Sequence, residues 1–223
     1  MMPINWPANL VPTDITILPP RKTAGLSTSL SELTQAVPVI RPPFGLVLEF
    51  GNLFGDEVLA YRALLASLEG RANTVRVPLF DMWFAATDAQ IHAGSVSHSD
   101  GTAFSDGALY HTGDVAGVTV TGVQGQRVIT VDFGAYGQLL QGGLYFGIDD
   151  HPYIAQGVSW TGSVAKISCS PTLRTDYAAA RVKLRPTMIA RLTDDDGGQH
   201  KLRRGRWTAP VMELTEAFDE PLS

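Results

Sequence analysis

The sequence predicts a mainly β protein: a β-sandwich-like domain carrying one packed α-helix, with a small all-β barrel-like domain inserted into it. Three observations predict this. From Gly143 to Leu192, short runs alternate apolar and polar residues, as in Val164-Ala165-Lys166-Ile167-Ser168 and Thr187-Met188-Ile189-Ala190-Arg191-Leu192. Alternation gives a strand one buried and one wet face, and the Gly, Asp and Pro between the runs mark reversals. A helical period stands out once, from about Gly55 to Glu69, where Val58, Tyr61, Leu65 and Leu68 share one stripe. The first 45 residues hold Pro3, Pro7, Pro12, Pro19, Pro20, Pro38, Pro42 and Pro43. Proline removes backbone donors, so this stretch suits edges and extended arms rather than central strands.

In chain order, Ile15-Thr16-Ile17-Leu18 reads as a short strand stopped by Pro19-Pro20, and Gln35-Ala36-Val37 as an edge strand. Leu46 to Phe50 is a further strand. In the helix that follows, Asp56 and Glu57 suit the positive N-terminal end, and Gly70 suits the position just past the C-terminus. Thr74 to Leu79 returns as a strand. Asp81 to about Gly117 reads as loop and short hairpins, with turn-rich Ser95–Gly101 and Ser105–Gly107. Gly117–Thr121 and Arg127–Val131 are strands joined around Gly122 and Gly125. The Gly143–Leu192 region reads as a meander of short antiparallel strands, including Gly143–Ile148, Pro152–Ala155, Val164–Ser168, Arg181–Leu184 and Thr187–Leu192. Asp194-Asp195-Asp196-Gly197-Gly198 is a turn, and Trp207 to Leu214 is the return strand. No internal repeat is evident. The expected partition is one discontinuous domain, 1–82 with 185–223, containing the helix at 55–69, and an inserted all-β domain, 83–184.

The 223 residues suffice for a real core. Charged residues are 17% of the chain, against roughly 25% in soluble domains. Such a surface is either covered by other subunits or supplied with Ser, Thr, Gln and Gly as its polar residues. Net charge is −5. The one basic run, Lys201-Leu202-Arg203-Arg204-Gly205-Arg206, is too short for a phosphate-binding face and reads as a solvated strand end or a partner contact. No nucleic-acid binding is expected. The single cysteine, Cys169, allows no internal disulfide and sits within a strand pattern. No charged n-region precedes an apolar core, and no apolar run reaches the roughly 18 residues of a membrane helix. A soluble protein made in the cytoplasm, with no membrane insertion, is expected.

Catalysis requires converging groups, and the sequence names none. The histidines are His92, His98, His111, His151 and His200, and no H-E-x-x-H occurs. His98 with Asp100, and Asp149-Asp150-His151, are loop pairs better read as turns. Asp194-Asp195-Asp196 lacks the spacing and closing Glu of a calcium loop. No nucleophile elbow, P-loop or dinucleotide fingerprint is present. Trp83, Phe84, Tyr145, Phe146, Tyr153 and Trp160 are either a sugar platform or strand core, and strand core is the better reading. Catalytic, metal-binding and cofactor-binding residues are therefore expected to be absent, and no cofactor and no enzyme activity are expected.

Two signatures resemble the distal tail proteins of long-tailed bacteriophages. The first runs from Tyr61 to Leu79: a helix ending in Gly70-Arg71-Ala72-Asn73, then a strand closing on Pro78. The second is the Gly143–Leu192 region, with its step Pro171-Thr172-Leu173-Arg174 and its close from Arg185-Pro186-Thr187 to Arg191-Leu192. The likeness covers about 44–82 and 117–195. It implies a structural virion protein in the tail, forming a six-fold ring of its own copies that joins the tail tube protein to the tail-tip hub proteins. The alternative is a host-receptor or carbohydrate-binding module of the same tip, and the third reading is a peptidoglycan-cleaving enzyme. Residues 1–20 and the strand from Trp207 to Leu214, read as an edge because of Pro210, are the expected subunit contacts.

Overall fold

The computed structural model describes residues 2–20, 23–28, 34–38, 41–81, 83, 114–199 and 207–217. The elements, in chain order, are β1 (Ile4–Asn5), β2 (Asp14–Leu18), β3 (Thr23–Thr28), β4 (Thr34–Pro38), β5 (Gly45–Glu49), β6 (Leu53–Phe54), α1 (Asp56–Leu68) and β7 (Val75–Pro78). They continue as β8 (Asp114–Gly122), β9 (Val128–Asp132), a 3-10 turn (Gly134–Tyr136), β10 (Tyr145–Ile148), β11 (His151–Thr161), β12 (Val164–Ser170) and β13 (Tyr177–Lys183). The last are β14 (Thr187–Leu192), β15 (Trp207–Thr208) and β16 (Val211–Glu216). The protein is mainly β, with one α-helix among the described residues, two large sheets, and one of those sheets nearly closed like a barrel.

Two compact units divide the chain: Met1–Val77 with Met188–Ser223, and Pro78–Thr187. The crossings thus fall at 77/78 and 187/188, where the sequence suggested 82/83 and 184/185. The outgoing and returning chains run side by side, since the Leu79 N–H donates to the Pro186 carbonyl at 3.1 Å.

The first unit holds an open six-stranded sheet in the order β1-β7-β14-β16-β5-β2. β1 runs parallel to β7, while β14, β16, β5 and β2 are successively antiparallel. Alternation sorts the faces: Leu46, Leu48, Met212 and Leu214 are buried, whereas Glu49, Val211 and Glu213 are exposed. The proline-rich N-terminus supplies the two edges, β1 and β2, and the separate β3–β4 ladder. Here the missing donors of proline harm no central pairing. The last strand departs from expectation. β16 lies between β14 and β5 rather than at an edge. Pro210 precedes the strand, so it removes no donor from the ladder, and its carbonyl accepts from the Phe50 N–H at 3.0 Å.

The helix buries Val58, Tyr61, Leu64 and Leu68. Leu65, placed in the stripe by its spacing, is half-buried, and Leu64 replaces it. At 100° per residue both positions flank the Tyr61–Leu68 line about equally. Leu65 faces Gly198, which offers no side chain to cover it; a Cβ there would lie 2.8 Å from Leu65 Cδ2 and 3.1 Å from the Tyr61 hydroxyl. Gly198 also has φ +77, a region that favours glycine. The Tyr61 hydroxyl donates to the Gly198 carbonyl at 2.7 Å, and its ring meets Phe50 edge-on at 5.4 Å. Phe50 in turn stacks on Trp6 at 6.2 Å.

The helix ends follow the acidic-start rule without a capping side chain, because the N-cap is Gly55. Glu57 instead accepts the Phe54 N–H at 3.2 Å. At the other end Glu69 is left-handed at φ 48 and Gly70 at φ 66. Asn73 satisfies two terminal carbonyls, donating its N–H to Leu68 at 3.0 Å and its side-chain amide to Ser67 at 2.8 Å.

The second unit is a six-stranded antiparallel sheet in the order β8-β13-β10-β11-β12-β9. Its outer strands, β8 and β9, lie against each other, so the sheet nearly closes. Phe133, Leu140, Phe146, Ile148, Tyr153, Ala165 and Ile167 fill the core. The simple meander is corrected in one place. β13 pairs with β10 rather than with β12, because β9 already occupies the free side of β12. The crossing segment covers one end of the barrel: Leu173 is buried against Gly122, where a Cβ would meet Leu173 Cδ1 at 2.5 Å. β11 also runs well past Ala155, where the sequence suggested its end, with a bulge between Ala155 and Gly157.

Candidate functional site

Residues that carry chemistry in other proteins are here engaged in the architecture. Asp149, at φ 52, forms the two-residue turn with Asp150 between β10 and β11. Its carboxylate accepts the Arg181 N–H at 3.2 Å. Asp150 pairs with Lys183 at 3.0 Å and accepts the Thr187 hydroxyl at 2.7 Å. The adjacent His151 is buried, its ring 6.5 Å from that of Tyr177. The three residues thus go to different partners.

The Asp194–Asp196 run likewise goes to different partners. Asp195 accepts the Arg71 N–H at 3.0 Å and so ties the turn to the helix end, while Asp196 accepts from Gln199 at 3.3 Å. Among the described residues, no group of three His, Cys, Asp or Glu side chains could hold a metal ion. His92, His98, Asp100, His111, His200, Phe84 and the basic run Lys201–Arg206 lie outside the described residues.

Cys169 is buried, with its thiol pushed up to about 11 by burial. A neutral, enclosed thiol is a poor nucleophile at pH 7. Of the aromatic candidates, Phe146 and Tyr153 are core. Trp160 is partly buried, tilted 5.4 Å from Phe133, and Tyr145 is half-buried. Trp83 is exposed. Two of these candidates are thus strand core, as the sequence suggested.

A buried polar network escaped the sequence reading. The Tyr153 and Tyr177 hydroxyls are 2.8 Å apart, and Tyr153 also accepts the Arg174 N–H at 3.0 Å. Burial pushes the Tyr153 phenol up to about 12. Alternation places Tyr153 inward, but its partners come from a crossing that local pattern does not show.

What the structure leaves open are surfaces. In the first unit, β2 is an edge strand among the described residues. Beside it lies a groove of about 230 Å³, lined by Leu18, Pro19, Pro43, Val47, Glu213 and Thr215 among others. In the second unit, a cavity of about 420 Å³ opens where β8 and β9 part, between Gly117–Thr119 and Asp132–Tyr136. Asp132 is held below the usual carboxylate range by the Ser163 side chain and the Gly134 N–H. No described helix is long and apolar enough to cross a membrane.

No protein-family model matches the chain, and no curated protein sequence matches it.

Proposed function

We propose that this protein is a structural component of a bacteriophage tail: a distal tail protein whose copies form a ring joining the tail tube to the tail tip. In this reading it works by contact rather than by catalysis, takes no cofactor, and resides in the virion after synthesis in the host cytoplasm. Its partners are its own copies, six in the ring, the tail tube protein and the tip hub proteins.

The observation that carries the reading is the pairing of an open-edged sheet, bearing one helix, with an inserted and nearly closed barrel. It joins the sequence likeness around Tyr61–Leu79 and Gly143–Leu192 and the low charged fraction of 17%. A ring subunit needs faces that stay open until a neighbour arrives, and head-to-tail contacts close a ring when the rotation per copy allows. The test is a reconstruction of the particle that makes this chain. The expected result is several symmetric copies at the end of the tail tube. Placement elsewhere, or as a single copy, would overturn the reading. Specific binding on a glycan array would move the function to the receptor-binding alternative.

A further inference from the structure

We propose that the free edge of β2, together with the groove beside it, is the seat of a second copy of this chain. The inference deepens the ring reading and rests on it, since it names the face through which one copy meets the next.

Among the described residues, nothing pairs with the outer side of this edge. β2 reads Asp14-Ile15-Thr16-Ile17-Leu18, and among the described residues it pairs with β5 alone. Solitary proteins blunt such edges with lysine, proline, bulges or a covering element, because unpaired N–H and C=O groups recruit other strands. β2 has neither lysine nor proline within it, and two isoleucines favour the strand state. Ile15 and Ile17 are half-buried, and Leu18 is 47% exposed.

The groove continues that edge over the outer face of the sheet. Register sets Thr16 opposite Val47 and Val47 opposite Glu213; it likewise sets Asp14 opposite Glu49. Thr16, Glu213, Asp14 and Glu49 are all exposed. The groove therefore carries an apolar strip, from Leu18 and Val47 to Pro43, with Glu213 at its rim, and Asp14 and Glu49 extend the acidic surface along the β2–β5 edge beyond it. Asp14 and Glu49 are like charges directly opposite each other, an arrangement that works against the free sheet. A cationic neighbour removes that repulsion.

The chain itself supplies the complement. Its one basic run places Lys201, Arg203, Arg204 and Arg206 within six residues, in a protein where only 17% of residues are charged. An edge flanked by Asp14, Glu49 and Glu213 and a basic run elsewhere in the sequence form a heterologous pair, the kind that propagates head to tail. Hence the occupant is a second copy that offers residues 201–206 to the rim. A foreign cationic protein and a pairing within one chain are the competing outcomes.

Sedimentation of the full-length protein over a range of concentrations, in low and high salt, tests this. The wild type is expected to associate, less so in high salt. Thr16→Lys, which puts a charge on the edge, and Glu213→Arg, which reverses the rim, should each weaken association about tenfold or more. Glu213→Arg combined with Arg203→Glu and Arg204→Glu should restore it. Both Thr16 and Glu213 are exposed, so an unchanged melting curve confirms that each variant folds. A wild type that stays monomeric throughout would overturn the inference, as would variants that associate like the wild type. A triple variant that fails to recover would rule out residues 201–206 of a second copy as the occupant. Association that survives Thr16→Lys and Glu213→Arg leaves the ring to another face. Absence of the chain from the reconstructed tail removes the ring reading itself.

Discussion

In Pro78–Thr187 the outer strands of the sheet, β8 and β9, lie against each other; in the other unit the outer strands, β1 and β2, stand at opposite ends of an open sheet. Both sheets have six strands and both bury one face. The difference comes from how the chain supplies them. The second unit is drawn from one continuous segment, and β8 and β9 are consecutive strands that a short turn already holds together. The first is assembled from both ends of the sequence, with proline-rich strands left at its margins. Closing a sheet removes its edges, while an open sheet keeps them for whatever binds next. The barrel is thus left with little free edge, while the open sheet keeps β1 and β2 as edges among the described residues.

The largest effect that could break this comparison is removal of the barrel. Leu79 and Pro186 are hydrogen-bonded neighbours, so the two crossings can be joined by a short link. Deleting residues 78–187 and joining Val77 to Met188 through a few Gly and Ser residues should leave a unit that melts cooperatively. An unfolded product would show that the open sheet depends on the barrel, and the contrast between the units would fail.

Core truncations come next, and the single cysteine separates them. Cys169 is buried in the second unit, so the rate at which a thiol reagent reaches it reports the opening of that unit. Phe146→Ala, at a fully buried site, should cost about 3–5 kcal/mol and raise the labelling rate by roughly a hundredfold or more. Leu68→Ala, equally buried in the helix, should cost about 2–5 kcal/mol yet leave Cys169 protected. If Leu68→Ala exposes Cys169 as Phe146→Ala does, the units unfold as one body.

How much of this was legible in the sequence also divides by unit. Thr187–Leu192 was recovered to the residue, because a mostly apolar run of six between a Pro and a turn carries its own boundaries. The helix was placed within one residue at each end. The Leu64-for-Leu65 exchange lay beyond reach, because the decision rests with Gly198, far along the chain. The central position of β16 was equally hidden: Pro210 suggests an edge by composition, and only the β5 and β14 registers show that it stands outside the ladder. The edge and groove at β2 were not legible. A surface is defined by neighbours that assemble from Leu18, Pro43 and Glu213, and no spacing rule joins those positions. Likewise the Tyr153–Tyr177 contact needs the β13 crossover, which alternation alone does not specify.

A smaller effect tests the buried polar contact in the nearly closed barrel. Tyr153→Phe removes the hydroxyl that faces Tyr177 and accepts the Arg174 N–H. The expected cost near neutral pH is about 1–3 kcal/mol, since a buried donor loses its partner. Alkali gives the sign independently. Burial raises the Tyr153 phenol from 10.0 to about 12, so the fold prefers the neutral form. That preference contributes fully below pH 10 and is lost as pH rises toward 12. The wild type should therefore weaken over that window by phenolate absorbance and Cys169 labelling, and the gap between it and Tyr153→Phe should narrow. Because burial also raises Tyr61 in the first unit, the labelling readout is needed to assign the loss. A gap that stays constant across the window would show that Tyr153 titrates as if exposed.

The smallest effect concerns the stitching of the open unit from two distant pieces of chain. Asp195 lies in the turn after β14, and it accepts the Arg71 N–H just past the helix at 3.0 Å, across 124 residues of sequence. The bond holds the turn just past the helix, where Glu69 and Gly70 have already left the helical region. It is exposed, so its loss is softened by water. Asp195→Ala should cost about 0.5–1.5 kcal/mol, read as a shift in the urea midpoint of the first unit with no change in Cys169 labelling. Asp194→Ala is the control. The Asp194 contact with the Gly197 N–H uses its backbone carbonyl, which the substitution keeps, so a change within about 0.5 kcal/mol is expected. Equal losses at both positions would mean that the turn responds to total charge rather than to the Asp195–Arg71 bond. An Asp195 loss confined to the first unit would show that this exposed bond fastens the turn after β14 to the helix end within that unit.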